Sequence, residues 1–167
     1  MNDAGKAPLV SSADRTGTGL EFLRKMVSGE YANLPIGDHL GFRIAAVEKG
    51  RVSVVGRPDE RSYNLLKSVH GGWIATVLDT ALALSGLSTL GADQTFTTLD
   101  IRINYLRPIT VETGEVTAHG SVIQAGRKVA YCEARLVDGA GKLLAHGTGS
   151  CLILPRGQSG QSGTDPK

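Results

Sequence analysis

The sequence has only two cysteines, Cys132 and Cys151, and no C-x-x-C pair. That excludes a disulfide framework and a cysteine-based zinc site, and leaves two small residues suited to burial inside strands. The four histidines, His39, His70, His119 and His146, are too scattered for metal-ligand spacing. No metal and no cofactor are therefore expected. No uninterrupted apolar run approaches the roughly 20 residues of a membrane span. No basic segment followed by an apolar stretch and a cleavage site opens the chain, so the cytoplasm is the default location. A net charge of +2 is too small for the electrostatic footprint of a nucleic-acid binder. Gly147-Thr-Gly149 lies in a strand pattern and lacks the spacing of a phosphate loop. No internal repeat is present.

What remains is an ordinary globular composition, 41% hydrophobic and 20% charged, over 167 residues, close to the size of one domain. Residues 1–19 mix Asp, Gly, Ser and Thr without periodicity and read as a flexible arm. Residues 155–167 are Gly/Ser-rich and read as a flexible tail. The folded unit is then 20–154.

Leu20, Leu23 and Val27 recur at helical spacing, whereas Pro35–Phe42 reads as a loop. Phe42–Val47 and Arg51–Val55 read as strands joined at Glu48-Lys49-Gly50. A long helix is predicted over Gly72–Leu87, followed by strands at Phe96–Leu106, Gly114–Gln124, Lys128–Val137 and Leu143–Leu154. In the first of these, Leu99, Ile101, Ile103 and Tyr105 share one face and Thr98, Asp100, Arg102 and Asn104 the other. One apolar helix followed by hairpin-connected strands is an α+β layout, an antiparallel sheet wrapped on the helix.

At about 100° per residue the long helix has two unlike faces. Trp73, Ile74, Val77, Leu78, Ala81, Leu82 and Leu84 suit burial. Gly72, Ala75, Thr76, Asp79, Ala83 and Gly86 form a narrow stripe in which only Asp79 is not small. Such a stripe admits close approach, and a carboxylate within it would be partly desolvated, its pKa tending upward. That makes Asp79 a candidate nucleophile or general base. The plainer alternative is a solvated aspartate, or one bonded to a neighbouring amide.

Ser68-Val69-His70-Gly71-Gly72 brings a polar loop to the helix N-terminus, where free N–H groups and the helix dipole can polarise a carbonyl. Gly71-Gly72 equally suits a tight turn, and His70 a satisfied core histidine. Gly72 and Asp79 are seven residues apart, about 10–11 Å within one helix. A symmetric dimer, with one subunit's amide facing the other's carboxylate, would shorten that gap.

Asn64-Leu-Leu-Lys-Ser-Val-His-Gly-Gly-Trp-Ile-Ala-Thr-Val-Leu-Asp79 and Thr97-Thr-Leu-Asp-Ile-Arg-Ile-Asn-Tyr-Leu-Arg-Pro108 resemble the hotdog-fold thioesterases of the phenylacetate-degradation (PaaI-like) subgroup. The resemblance spans about Gly37–Leu154. It implies hydrolysis of an acyl-CoA, an aromatic one by the nearest analogy, while a medium-chain aliphatic acyl group is equally compatible with a pocket near Trp73 and Leu82. By position it makes Asp79 the general base or nucleophile and Gly71 the amide that polarises the carbonyl. Asn64 would orient water or substrate, His70 would buttress the turn, and Thr98, or Thr97 if the loop differs by one residue, would assist the water. Gly72 would also face the substrate. Lys67 departs from the glycine of some relatives. The resemblance further implies a site between subunits of a homodimer, with dimers often paired into a homotetramer. Coenzyme A phosphates would call for cations, the candidates being Arg107, Arg127, Lys128 and Lys67. Two alternatives remain: a hotdog enoyl-CoA hydratase or dehydratase, whose His-Pro and Asp-x-Asn-x-x-His patterns are absent, and a non-catalytic acyl-CoA binding module.

Overall fold

The computed structural model describes residues 7–12 and 14–156. The first helix, α1 (Gly19–Val27), starts where the sequence supplies a capping box: Glu21 N–H donates to Thr18 Oγ1 and Thr18 N–H to Glu21 Oε2. The stretch expected as a loop forms a short helix, α2 (Pro35–Leu40). Proline at its first turn needs no amide partner, and Gly41, at φ 74°, ends it in the left-handed region.

Six strands follow the order β1-β2-β4-β5-β6-β3, and every adjacent pair is antiparallel. Their ranges are β1 (Phe42–Glu48), β2 (Arg51–Gly56), β3 (Gln94–Tyr105), β4 (Val116–Ala125), β5 (Val129–Asp138) and β6 (Leu143–Pro155). The central helix, α3 (Gly71–Leu87), lies across the sheet, which is the α+β hotdog arrangement. Val77, Leu78, Ala81 and Leu82 of α3 are fully buried together with Val54, Ala118, Ala134 and Leu136 of the sheet. Helix and sheet meet closely at Gly120, where a Cβ would stand 2.1 Å from the Ala81 carbonyl oxygen. A side chain there would force the layers apart.

Two expectations about α3 and β3 change in three dimensions. Gly86, read as part of the open stripe, instead faces the sheet, where a Cβ would sit 3.5 Å from Cys132 Sγ. Ala83 is also covered, so the open part of α3 consists of Gly72, Ala75, Thr76, Asp79 and Thr80. In β3 the register slips between Thr98, opposite Cys151, and Asp100, opposite Ser150. The bulge breaks the strict alternation: Leu99 turns outward, 55% exposed, while Thr98 comes to the same helix-facing side as Ile101 and Ile103.

Within the segment expected as an arm, Arg15 is fully buried. Its guanidinium donates to the carbonyls of Ser12 (2.7 Å), Gly91 (2.9 Å) and Gln94. Residues 1–6 and 13 of that segment, and 157–167 of the expected tail, lie outside the described residues. Among the described residues, no helix is long and apolar enough to cross a membrane.

Candidate active site

The N-terminus of α3 has four amides to satisfy. His70, in extended conformation, caps the helix: its Nδ1 accepts from Gly72 N–H at 2.8 Å, and its carbonyl accepts from Trp73 and Ile74 N–H. Among the described residues, Gly71 N–H is left as the one amide of this turn with no acceptor. His70 is exposed, so it is not a core histidine, and accepting at Nδ1 requires that nitrogen to be unprotonated. Gly72, expected to face the substrate, already has its amide engaged by His70.

A contact not foreseen from the sequence closes over this turn. Tyr105, at the end of β3, donates its hydroxyl to the Gly71 carbonyl at 3.1 Å. Its ring lies so near that a Cβ on Gly71 would be 3.2 Å from Cζ. The Tyr-Leu-Arg-Pro run marks where this strand ends, but nothing in it indicates that the ring folds back on a helix.

Asn64 holds the loop before the helix. Its Oδ1 accepts from Leu66 N–H (2.8 Å) and Ser68 N–H (3.3 Å). Lys67 takes φ 57°, a left-handed conformation in which glycine would be unstrained. Asn64, Gly71, Tyr105 and Arg107 line one cleft of about 370 Å³. Arg107 is exposed and donates Nη1 to the Leu143 carbonyl.

Asp79 stands half-buried on the open stripe and accepts from Thr98 Oγ1 at 3.2 Å. Burial holds its carboxyl above the ordinary aspartate range and outweighs the Thr98 hydrogen bond, which acts in the opposite direction. Thr97 is exposed and takes no part in this pair; the bulge that follows Thr98 is what seats Thr98 on the helix side. Behind Thr98 lies Cys151, its partner in the β3–β6 register, buried like Cys132.

Within one chain these elements stay apart. Eight residues of helix, about 12 Å, separate Gly71 from Asp79. Arg127 and Lys128 line a groove of about 490 Å³ with Asp93 and Gln94. That groove is at the Gln94 end of β3, whereas Arg107 follows its Tyr105 end, roughly 36 Å along the strand. Trp73 and Leu82, expected beside the acyl chain, are core residues at 4% and 0% exposure. Among the described residues no group of His, Cys, Asp or Glu is placed to hold a metal ion.

What this arrangement offers is a carboxylate of raised proton affinity, a hydroxyl bonded to it, and a free amide at a helix N-terminus. Residues 66–145, which contain all three, match the family model of the thioesterase superfamily. The chain is 27% identical over 105 residues to 1,4-dihydroxy-2-naphthoyl-CoA hydrolase of Listeria monocytogenes, covering 63% of this chain and 84% of that protein. Among solved structures it resembles a thioesterase of Haemophilus influenzae, with a TM-score of 0.70, 25% identity, and 84% and 94% of the two chains covered. A mutant of phenylacetic acid degradation protein PaaI from Thermus thermophilus gives a TM-score of 0.65 at 26% identity, covering 71% of this chain and 98% of that one. These likenesses mark the chain as a hotdog-fold thioester hydrolase that resembles the thioesterase superfamily over residues 66–145.

Proposed function

We propose that the chain hydrolyses acyl-CoA thioesters to the free acid and coenzyme A, with an aromatic or medium-chain acyl group. The observation that carries this reading is the half-buried Asp79, bonded to Thr98 on a helix whose first amide is left without an acceptor. Asp79 as carboxylate takes a proton from water as that water attacks the thioester carbonyl, or attacks the carbonyl itself. Thr98 steadies the carboxylate and the water. Gly71 N–H, at the positive end of α3, stabilises the negative charge that grows on the carbonyl oxygen. The tetrahedral intermediate then collapses with loss of the coenzyme A thiolate, which is protonated on release; where Asp79 itself attacks, water then hydrolyses the acyl-aspartyl anhydride to free the acid and restore the carboxylate. Asn64 acts through the loop it holds, and His70 through the helix cap.

The 12 Å between Gly71 and Asp79 supports a site shared by two copies, the amide of one facing the carboxylate of the other. The large apolar side chains left exposed around both halves, Leu65, Leu66, Leu99, Tyr105 and Leu106, are of the kind a second copy would cover. A homodimer, or a homotetramer of two such dimers, is the proposed assembly, acting in the cytoplasm. Arg107 from one end of β3, and Arg127 and Lys128 from the other, are proposed to meet coenzyme A phosphates across that assembly. The hydratase reading gains nothing from His70, whose Nδ1 is already committed to the cap.

The test is thiol release from a panel of acyl-CoA esters by wild type beside Asp79→Asn. Turnover that collapses in the variant, at unchanged oligomer size, supports the proposal; equal rates in both would sink it.

A further inference from the structure

A mostly apolar cavity lies beside the C-terminal half of α3, beyond the Asp79–Thr98 pair along the helix. Its volume is about 540 Å³, within the range of small-molecule pockets, and its walls include Leu9, Val10, Met26, Leu84, Leu87 and Phe96. Phe96 precedes Thr98 by two residues on β3 and so lies on the same strand face, about 7 Å away. Leu84 and Leu87 follow Asp79 by five and eight residues, about 8 to 12 Å further down α3. An acyl group whose carbonyl is held at Asp79 would reach these side chains if it ran along the helix toward its C-terminus.

One wall of this cavity is unusual in how it is fastened. Arg15 is fully buried, no salt bridge to a carboxylate offsets its charge among the described residues, and its Nε has no partner. Burying a cation is costly unless it is well bonded, so a side chain placed this way has to be held by several acceptors at once. Those acceptors are informative. Ser12 O belongs to the segment that carries Leu9 and Val10, while Gly91 O and Gln94 O belong to the turn that leads into Phe96. A single guanidinium therefore ties the segment that carries Leu9 and Val10 to the turn that leads into Phe96.

We propose that this cavity receives the acyl group of the thioester, and that the Leu9–Val10 wall, held by Arg15, sets the upper limit of acyl size. The inference rests on the thioesterase reading above and names its substrate class: uncharged acyl groups of medium length, or short ones ending in a phenyl ring. Asp14 at the lining disfavours acyl groups that end in a carboxylate.

The test uses the full chain with acyl-CoA esters from acetyl to myristoyl, together with phenylacetyl and succinyl esters. Non-hydrolysable alkyl-CoA thioethers of the same lengths are titrated by calorimetry. Met26→Trp, which fills the cavity, is expected to lower kcat/KM at least about tenfold more on octanoyl-CoA than on acetyl-CoA, the scale of steric discrimination in apolar pockets. Met26→Ala and Arg15→Met are expected to move the optimum toward longer chains. Thermal melts confirm that each variant is folded, and Met26→Ala provides a second route should the tryptophan fail to pack. Uniform changes across the series, or none, with turnover still dependent on Asp79, would overturn the pocket and leave the hydrolase standing. Thioether affinity that rises with chain length and falls in Met26→Trp, without hydrolysis of any ester, would keep the pocket and overturn the hydrolase. Thioether affinity that is the same at every chain length, without hydrolysis of any ester, would remove both.

Discussion

The two halves of α3 are built on different terms. From Ala81 to Leu87 every residue is buried, and even Ser85 and Ser88 turn their hydroxyls inward onto the Leu82 and Ser85 carbonyls. From Gly71 to Thr80 only the sheet side is covered, and Gly72, Ala75, Thr76, Asp79 and Thr80 stay at least partly accessible. The closed half satisfies its polar groups internally and contributes stability. The open half leaves one amide without an acceptor and one carboxylate partly desolvated, two arrangements that cost stability. The comparison teaches that the proposed chemistry falls where the helix forgoes complete burial and complete hydrogen bonding.

The sharpest way to break this contrast is at Asp79. Asp79→Asn is expected to lower kcat about 10²- to 10⁴-fold in a thiol-release assay, the usual contribution of a positioned acid or base. The same variant should melt no lower than wild type at neutral pH. Because burial raises the folded-state pKa of Asp79, its contribution to stability is greatest when it is protonated and is lost as pH rises through the folded pKa. The melting temperature of Asp79→Asn relative to wild type should therefore rise with pH across that window and fall back in acid. A wild type that is more stable than the variant at neutral pH would contradict the desolvation account.

Next in size is the free amide. Gly71→Ala puts a methyl group against the Tyr105 ring, 3.2 Å away, and displaces the turn that presents the amide. A kcat loss of about 10² is expected, with partial recovery in the Gly71→Ala, Tyr105→Ala double variant. A double variant no better than the single would show that crowding is not the cause.

Thr98→Val removes the hydrogen bond that offsets burial of Asp79, so its pKa should climb further. The acid limb of the kcat/KM profile should move to higher pH, with the largest loss on its acid side. A profile that scales down evenly would assign Thr98 another role. His70→Ala should act on stability: losing an N-cap costs about 1 kcal/mol, read as a lower urea midpoint. Smallest of all, Thr97→Val should leave rate and midpoint nearly unchanged, within about 0.5 kcal/mol, since Thr97 is exposed.

Much of this contrast can be read along the chain, for a physical reason. Helical and strand periodicities are local, so the buried face of α3, the stripe carrying Asp79 and the positions of all six strands follow from residue spacing. Asp79 combined with the His-Gly-Gly turn was legible because a helix start and a point two turns later are fixed relative to each other by helix geometry alone. The misses occur where distant segments meet. Period two placed Thr98 opposite Ile101, and the bulge reversed this. That the His70 ring takes the Gly72 amide was not legible in the spacing either. Tyr105 over Gly71 and Arg15 under the turn at Gly91–Gln94 join residues 34 and 76–79 positions apart, for which spacing carries no signal.

The sequence by itself determined the inventory: one long helix, six strands, an aspartate among small residues and a glycine pair at the helix start. These depend on interactions within a few residues, which the order of residues specifies directly. Only the tertiary structure decided which threonine meets Asp79, which amide stays free and which wall closes the apolar cavity. Each of these depends on how β3 bulges against β6 and folds over α3, a balance of packing and hydrogen bonding between segments far apart in the chain.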